Sequence, residues 1–245
     1  MYLIILQIIV CNIISYVIYE YYINKPSNLP YEISGDDIYQ KDPLNNGEYS
    51  RFNSITKESV HWLSRSICNE ILHAKKLKCK VLVLGVALGD MIIHLSNKRP
   101  DFIITGIDIS DINFDIVKQY SKTNILLLKE DANVYIENTN ETYDYIICDL
   151  FDSLKIPDFV FSVKFLNKIN NMLTSEGTFL INTVGIDQDV INTMYYELFP
   201  DSIIEIRSDN YNLLTIVTKL PSNAEFKKYD FLNIDIPQGG TPEVV

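Results

Sequence analysis

The chain has 245 residues, enough for one domain of about 200 residues with extra length at its ends. A net charge of −11 argues against a dedicated nucleic-acid binder, which needs a basic face. The one basic cluster, KKLKCK at 75–80, falls where a helix should end and reads as cations near the negative end of a helix dipole. Cysteines 11, 68, 79 and 148 form no CxxC pair and have no histidine at metal-ligand spacing, so a reduced chain without a structural metal is expected.

In chain order, residues 1–23 come first. MYLIILQIIVCNIISYVIY carries no charged side chain before Glu20 and ends in a cluster of tyrosines. That length suits a bilayer core of about 30 Å, and tyrosine favours the membrane interface. A single-pass anchor is expected, with the domain facing the cytosol. Gln7, Asn12 and Ser15 leave open a helix docked on a cytoplasmic domain. A secretory signal fits less well, because the start lacks Lys or Arg and no small-residue cleavage site follows. Residues 24–56, rich in Asn, Pro, Asp and Ser, read as a polar linker with room for a short strand pair. A helix is predicted over 57–77, where Val60, Leu63, Ile67, Ile71 and Leu72 recur at helical spacing.

From residue 80 the pattern becomes regular. Apolar strands are predicted at 80–85, 102–107, 124–128, 144–148 and 178–184, with helices at 88–98, 111–121, 131–138, 159–173 and 187–198 between and after them. Two more strands, 202–207 and 213–218, flank the turn-like SDNYN, and 221–245 read as a solvated tail. Alternating strands and helices with nearly continuous apolar strands imply an α/β domain over 57–220. Its Rossmann-like sheet has seven mainly parallel strands, helices on both faces and one antiparallel strand.

Ligands in such sheets bind at the carboxyl ends of the strands. Four positions fall there. In GVALGD, at 85–90, Gly85 lets the chain turn and Gly89 allows close approach, with Ala87 between them and Asp90 opening the helix. Asp108, in GIDIS, ends the second strand, 19 residues beyond Gly89, where a carboxylate can accept from ribose hydroxyls. Asp131, in EDA, follows the third strand and can meet an adenine amino group. Asp149 ends YDYIICD. Ile109 and Ala132, beside two of these acids, are further cofactor-facing candidates. A dinucleotide fits poorly, because Asp90 stands where a pyrophosphate wants bare helix amides. A carboxylate there suits a cation, and S-adenosylmethionine carries a sulfonium and an amino group. No GK[ST] follows, so a P-loop is excluded.

VLVLGVALGD, GIDIS, EDA and YDYIICDLFD resemble, in order and spacing, motifs I to IV of the class I S-adenosylmethionine-dependent methyltransferases. The stretch from Tyr143 to Val184 is similar to the spermidine-synthase branch: a strand ending in D-x-x-D, then a proline, a helix, and a glycine turn into the next strand. The resemblance covers about 80–185 by motif and 186–220 by topology. Two departures stand out. The first loop is GVALGD rather than GGGDGG-like, and Ser153 follows Asp152 with the proline delayed to Pro157. The branch's N-terminal β-domain, which grips the polyamine, has no clear counterpart beyond GEYSRFNSI at 47–55.

On the acceptor side, Asp149 and Asp152 form the candidate catalytic pair. Alkyl transfer from a sulfonium to an amine needs in-line alignment and a neutral nucleophile, and a carboxylate can hold the ammonium and take its proton. The alternative is that Asp149 only touches the cofactor and Asp152 shapes the loop. His61, His73 and His94 fall in predicted helices as packing or surface residues, and no G-x-S-x-G elbow is present. The resemblance therefore implies methyl transfer to an amine-bearing small molecule or protein side chain, with S-adenosylmethionine as cofactor. Aminopropyl transfer from decarboxylated S-adenosylmethionine is the runner-up. A catalytically silent, membrane-tethered binding module of the same fold is the reading from a different class.

Overall fold

The computed structural model describes residues 31–41, 48–122, 125–151, 155–183, 188–208 and 212–221, with the side chains of 48–49 and 188–192 excepted. The expected anchor at 1–23, the tail beyond 221 and the candidate Asp152 lie outside the described residues.

Three short strands come first: β1 (Glu32–Ser34), β2 (Asp37–Lys41) and β3 (Glu48–Asn53), paired antiparallel in that order. Within the stretch read as a linker with room for a strand pair, the described residues 31–41 and 48–56 therefore carry a three-stranded sheet seated on the main core. The physical reason is a period-2 pattern with few apolar members. Ile38 pairs with Phe52 and Gln40 with Ser50 across β2 and β3, so these four share one face. Ile38 and Phe52 are buried, and the Phe52 ring meets Tyr120 edge-on at 5.3 Å. On the opposite face Arg51 forks onto Asp37, through Nε at 3.0 Å and Nη2 at 2.6 Å.

The main domain follows as α1 (Trp62–Leu72), β4 (Lys80–Leu84), α2 (Asp90–Lys98), β5 (Ile103–Asp108), α3 (Phe114–Tyr120), β6 (Ile125–Lys129), α4 (Ala132–Asn138), β7 (Tyr143–Cys148), α5 (Val163–Met172), β8 (Leu173–Asn182), α6 (Gln188–Leu198), β9 (Ser202–Ser208) and β10 (Leu213–Lys219). The seven strands run in the order β6-β5-β4-β7-β8-β10-β9. Pairings among β6, β5, β4, β7 and β8 are parallel, and β10 is antiparallel to both of its neighbours. The segment expected as one helix over 159–173 divides into a 3-10 turn (Asp158–Phe161) and α5, because the Ser162 hydroxyl starts a fresh helix by accepting from Phe165 N.

Both faces of the sheet are covered, as its apolar strands require. Val81, Val83 and Ile147 pack under α1, α2, α3 and the N-terminal sheet. Leu82, Leu84, Ile146 and Phe179 pack under α4, α5 and α6, with Tyr195 and Phe199 wholly buried there. Within this frame β4, β5, β6 and β7 all end at the same edge, and the turns leaving them gather the polar residues singled out in the sequence.

Candidate functional site

The turn from β4 to α2 is built on three left-handed residues: Gly85 at φ 87°, Ala87 at φ 48° and Gly89 at φ 82°. Gly85 is required twice over. Its φ suits glycine, and a Cβ there would run into the Asp149 carbonyl. A Cβ on Gly89 would collide with Val117 of α3, so this glycine serves helix packing and does not line the cavity. Ala87 is the one side chain forced into the left-handed region here, a conformation that costs a non-glycine residue about 1 kcal/mol or more.

Asp108 holds this turn. Its Oδ2 accepts from Val86 N at 2.8 Å and Ala87 N at 3.1 Å, and its Oδ1 accepts from Ser110 N at 2.9 Å. A carboxylate offers about four lone-pair sites, so one stays open to a ribose hydroxyl. Asp131 caps α4: its Oδ1 accepts from Asn133 N at 2.7 Å and Val134 N at 3.3 Å. Asp149 is anchored by its backbone N–H to Leu84 O at 2.9 Å, and its Oδ1 accepts from Asn182 Nδ2 at 3.1 Å. Burial pushes the Asp149 carboxyl up to about 6; the Asn182 bond opposes this and the nearby Asp90 charge adds to it.

These elements surround one cavity of about 750 Å³, a size suited to a nucleoside-type ligand. Seven of the expected residues line it: Gly85, Ala87, Asp108, Ile109, Asp131, Ala132 and Asp149. Ile109 stands 74% exposed at its rim, an apolar surface available to a flat ring. No Lys or Arg is among the described lining residues, so three carboxylates face the space without an ammonium or guanidinium group opposite them.

Asp90 requires a correction. It does not face the cavity as a partner for a cationic ligand; it is buried, and its Oδ1 accepts from the Ser50 hydroxyl of β3 at 2.7 Å. Ser50 lies 40 residues earlier, in a strand that polar composition disguised. Sequence reasoning also missed Gln40, His61 and Asn182, which line the cavity, together with its aromatic wall of Phe151 and Phe159. Asn182 had one available signal, its place at the end of a predicted strand beside Asp149. Gln40 had none. His94, expected as packing or surface, is buried, with Nδ1 accepting from Ser59 N at 3.3 Å. Among the described residues no group of His, Cys, Asp and Glu could hold a metal ion.

No family model matches the chain. It is 24% identical over 155 residues to the polyamine aminopropyltransferase of Vibrio vulnificus, covering 58% of this chain but only 52% of that protein. It is 25% identical over 179 residues to the carboxy-S-adenosyl-L-methionine synthase of Campylobacter jejuni, covering 68% of this chain and 74% of that one. The chain thus spans about half the length of the Vibrio relative. Among solved structures, human methyltransferase-like protein 13 in complex with S-adenosylhomocysteine superposes with a TM-score of 0.55 at 20% identity, over 66% of this chain and 83% of that one. A probable spermidine synthase of Corynebacterium glutamicum superposes with a TM-score of 0.60 at 13% identity, over 78% and 80%. This is the class I methyltransferase fold. The probable spermidine synthase shares this fold, in keeping with the resemblance carried by the sequence motifs. In the methyltransferase fold seen here, the carboxyl edge of the sheet is where Asp108, Asp131 and Asp149 sit together.

Proposed function

We propose that this protein is an S-adenosylmethionine-dependent transferase acting on an amine, with methyl transfer as the first reading. The observation that carries it is the carboxylate triplet. Asp108, Asp131 and Asp149 stand at the carboxyl ends of β5, β6 and β7, on either side of β4, around one cavity with no Lys or Arg among its described lining residues. Such a site favours cations, and it fits a nucleoside that bears a sulfonium. Asp108 would hold the ribose, Asp131 the adenine amino group, and Ile109 and Ala132 the ring faces. When bound, S-adenosylmethionine supplies an electrophilic methyl carbon on positively charged sulfur. Asp149, recessed beyond the glycine turn, would lie near the sulfonium and take the proton of the acceptor ammonium. The nitrogen lone pair is then free to attack the methyl carbon, and the carbon–sulfur bond breaks to leave S-adenosylhomocysteine. Asp152, its proposed companion three residues on, would grip the amine.

One observation favours the second reading, aminopropyl transfer. The N-terminal sheet supplies a small β-element in front of the domain and brings Gln40 to the cavity wall, where the sequence suggested only a remnant. The likeness to the Vibrio aminopropyltransferase points the same way. Residues 1–23 are proposed as a membrane anchor with the domain on the cytosolic side.

Calorimetry of the full chain in detergent with S-adenosylmethionine, its decarboxylated form and S-adenosylhomocysteine separates the readings. Micromolar binding of the carboxylated forms supports methyl transfer. A clear preference for the decarboxylated form moves the assignment to aminopropyl transfer. No binding of any of them leaves a silent module. With binding established, Asp149→Asn is expected to lower turnover by about 10²-fold or more, and an unchanged rate removes Asp149 from the chemistry.

A further inference from the structure

The face that β2 and β3 turn toward the domain carries two apolar and two polar residues. Ile38 and Phe52 seat the sheet on the core; Gln40 and Ser50, paired across the strands, reach the cofactor turn from the same side. Ser50 Oγ donates to Asp90 Oδ1 at the end of the turn. Gln40 acts through a relay. Asn113, buried at the start of α3, donates from Nδ2 to Gln40 Oε1 at 3.0 Å and to Ala87 O at 2.9 Å. The Ala87 carbonyl can only accept, which fixes the orientation of the Asn113 amide. Asn113 Oδ1 is left buried without a partner among the described residues, so the amide is held for what its nitrogen does.

The relay ends on Ala87, the residue in the turn whose backbone pays for a left-handed φ. Asp108 binds its N–H and Asn113 its C=O, so side chains from two elements clamp both backbone polar groups of one strained residue and fix the peptide units on either side of it. We propose that Gln40 and Asn113 are positioning residues that hold the Ala87 turn in its ligand-binding shape, which makes the N-terminal sheet a working part of the cofactor site. The idea rests on the nucleoside reading above for the ligand, though not for the geometry of the turn.

Two measurements on the full chain test it. The first is amide hydrogen exchange of residues 85–90 without ligand. Asn113→Ala is expected to speed exchange of this turn while the strands of the sheet keep their protection. The second is calorimetry with S-adenosylhomocysteine, where Asn113→Ala should weaken binding roughly three- to tenfold, the range for one lost neutral hydrogen bond. The deciding variant is Asn113→Ala combined with Ala87→Gly. Glycine takes φ 48° without strain, so the double variant should recover binding to within about twofold of the starting protein. A residue needed only for packing would not be rescued this way. Unchanged exchange in Asn113→Ala, or failure of Ala87→Gly to restore affinity, overturns the proposal. If Asn113→Ala does not fold, Gln40→Leu removes the far end of the relay and is read by the same criteria. If the starting protein binds no nucleoside, the function above fails, and the exchange measurement alone decides the relay.

Discussion

At the scale of single residues, the site depends on how each carboxylate is used. Asp108 gives three and Asp131 two of about four accepting sites to backbone amides, so their first task is to build the turn and cap the helix. Asp149 differs: burial raises its carboxyl to about 6, with one oxygen held by Asn182. A raised folded-state value means the ligand-free fold prefers the protonated acid. Stability from this group is present at low pH and is lost as pH rises from about 4 through about 6. Binding of a cation has the opposite sign, because it needs the carboxylate. Affinity for S-adenosylmethionine should therefore rise between pH 5 and pH 7, and calorimetry across that range reads it. Asn182→Leu, which removes the donor, should move the rise to higher pH; Asp149→Asn should flatten it. A flat profile in the unaltered protein would show that Asp149 does not face the cation. The acid itself was legible from its place after an apolar strand, but its environment was not. Burial, the Asn182 partner and the diversion of Asp90 to Ser50 all arise from segments far apart in sequence. Ala87 shows the same limit, since its methyl is innocuous unless φ is positive, and spacing cannot report φ.

At the scale of elements, the carboxyl edge of the sheet serves the ligand and the opposite edge serves stability. Asp144, near the start of β7, accepts from Lys76 Nζ at 2.5 Å, Lys80 N at 2.9 Å and Thr174 Oγ1 at 3.1 Å, tying the loop after α1 to the starts of β4 and β8. Burial works to raise this carboxyl, but the three donors outweigh it and hold it below the usual range. Its stabilisation is thus present above the ordinary carboxylate range and lost as pH falls below it. Asp144→Ala would remove three hydrogen bonds and leave the half-buried Lys80 N–H without this acceptor, so the unfolding free energy should fall by about 1–3 kcal/mol at neutral pH. Urea denaturation measures the loss, and cofactor affinity should not change; a large change would mean that the two edges are coupled. The parallel strands and their helices were legible because long apolar runs with clear periods dominate them. The N-terminal sheet was not, because only Ile38 and Phe52 among its polar residues carry the burial signal, and two residues do not make a readable period. The first strand pair was foreseeable in outline, whereas its seating on α2 and α3 was not.

At the scale of the whole molecule, charge and hydrophobicity divide the chain sharply. The protein carries a net −11, and an acidic surface is repelled by anionic lipid, at a cost that grows with each charge near the surface. Among the described residues no helix is long and apolar enough to cross a membrane. The proposed anchor, residues 1–23, reaches Glu20 without a charge, so the attachment expected of it is hydrophobic rather than electrostatic. Lys25, just beyond, favours the cytosolic side for the domain that follows. This fixes the expected behaviour on fractionation. The full chain should sediment with membranes, stay there in high salt, and resist extraction with alkaline carbonate, because neither treatment weakens an apolar span. Removal of residues 1–23 should release the protein completely. Release by carbonate alone would mean that the segment docks on protein or lies at the interface, and release by salt would mean that a charged surface does the binding. Retention after removal of 1–23 would place the attachment elsewhere in the chain and overturn the anchor.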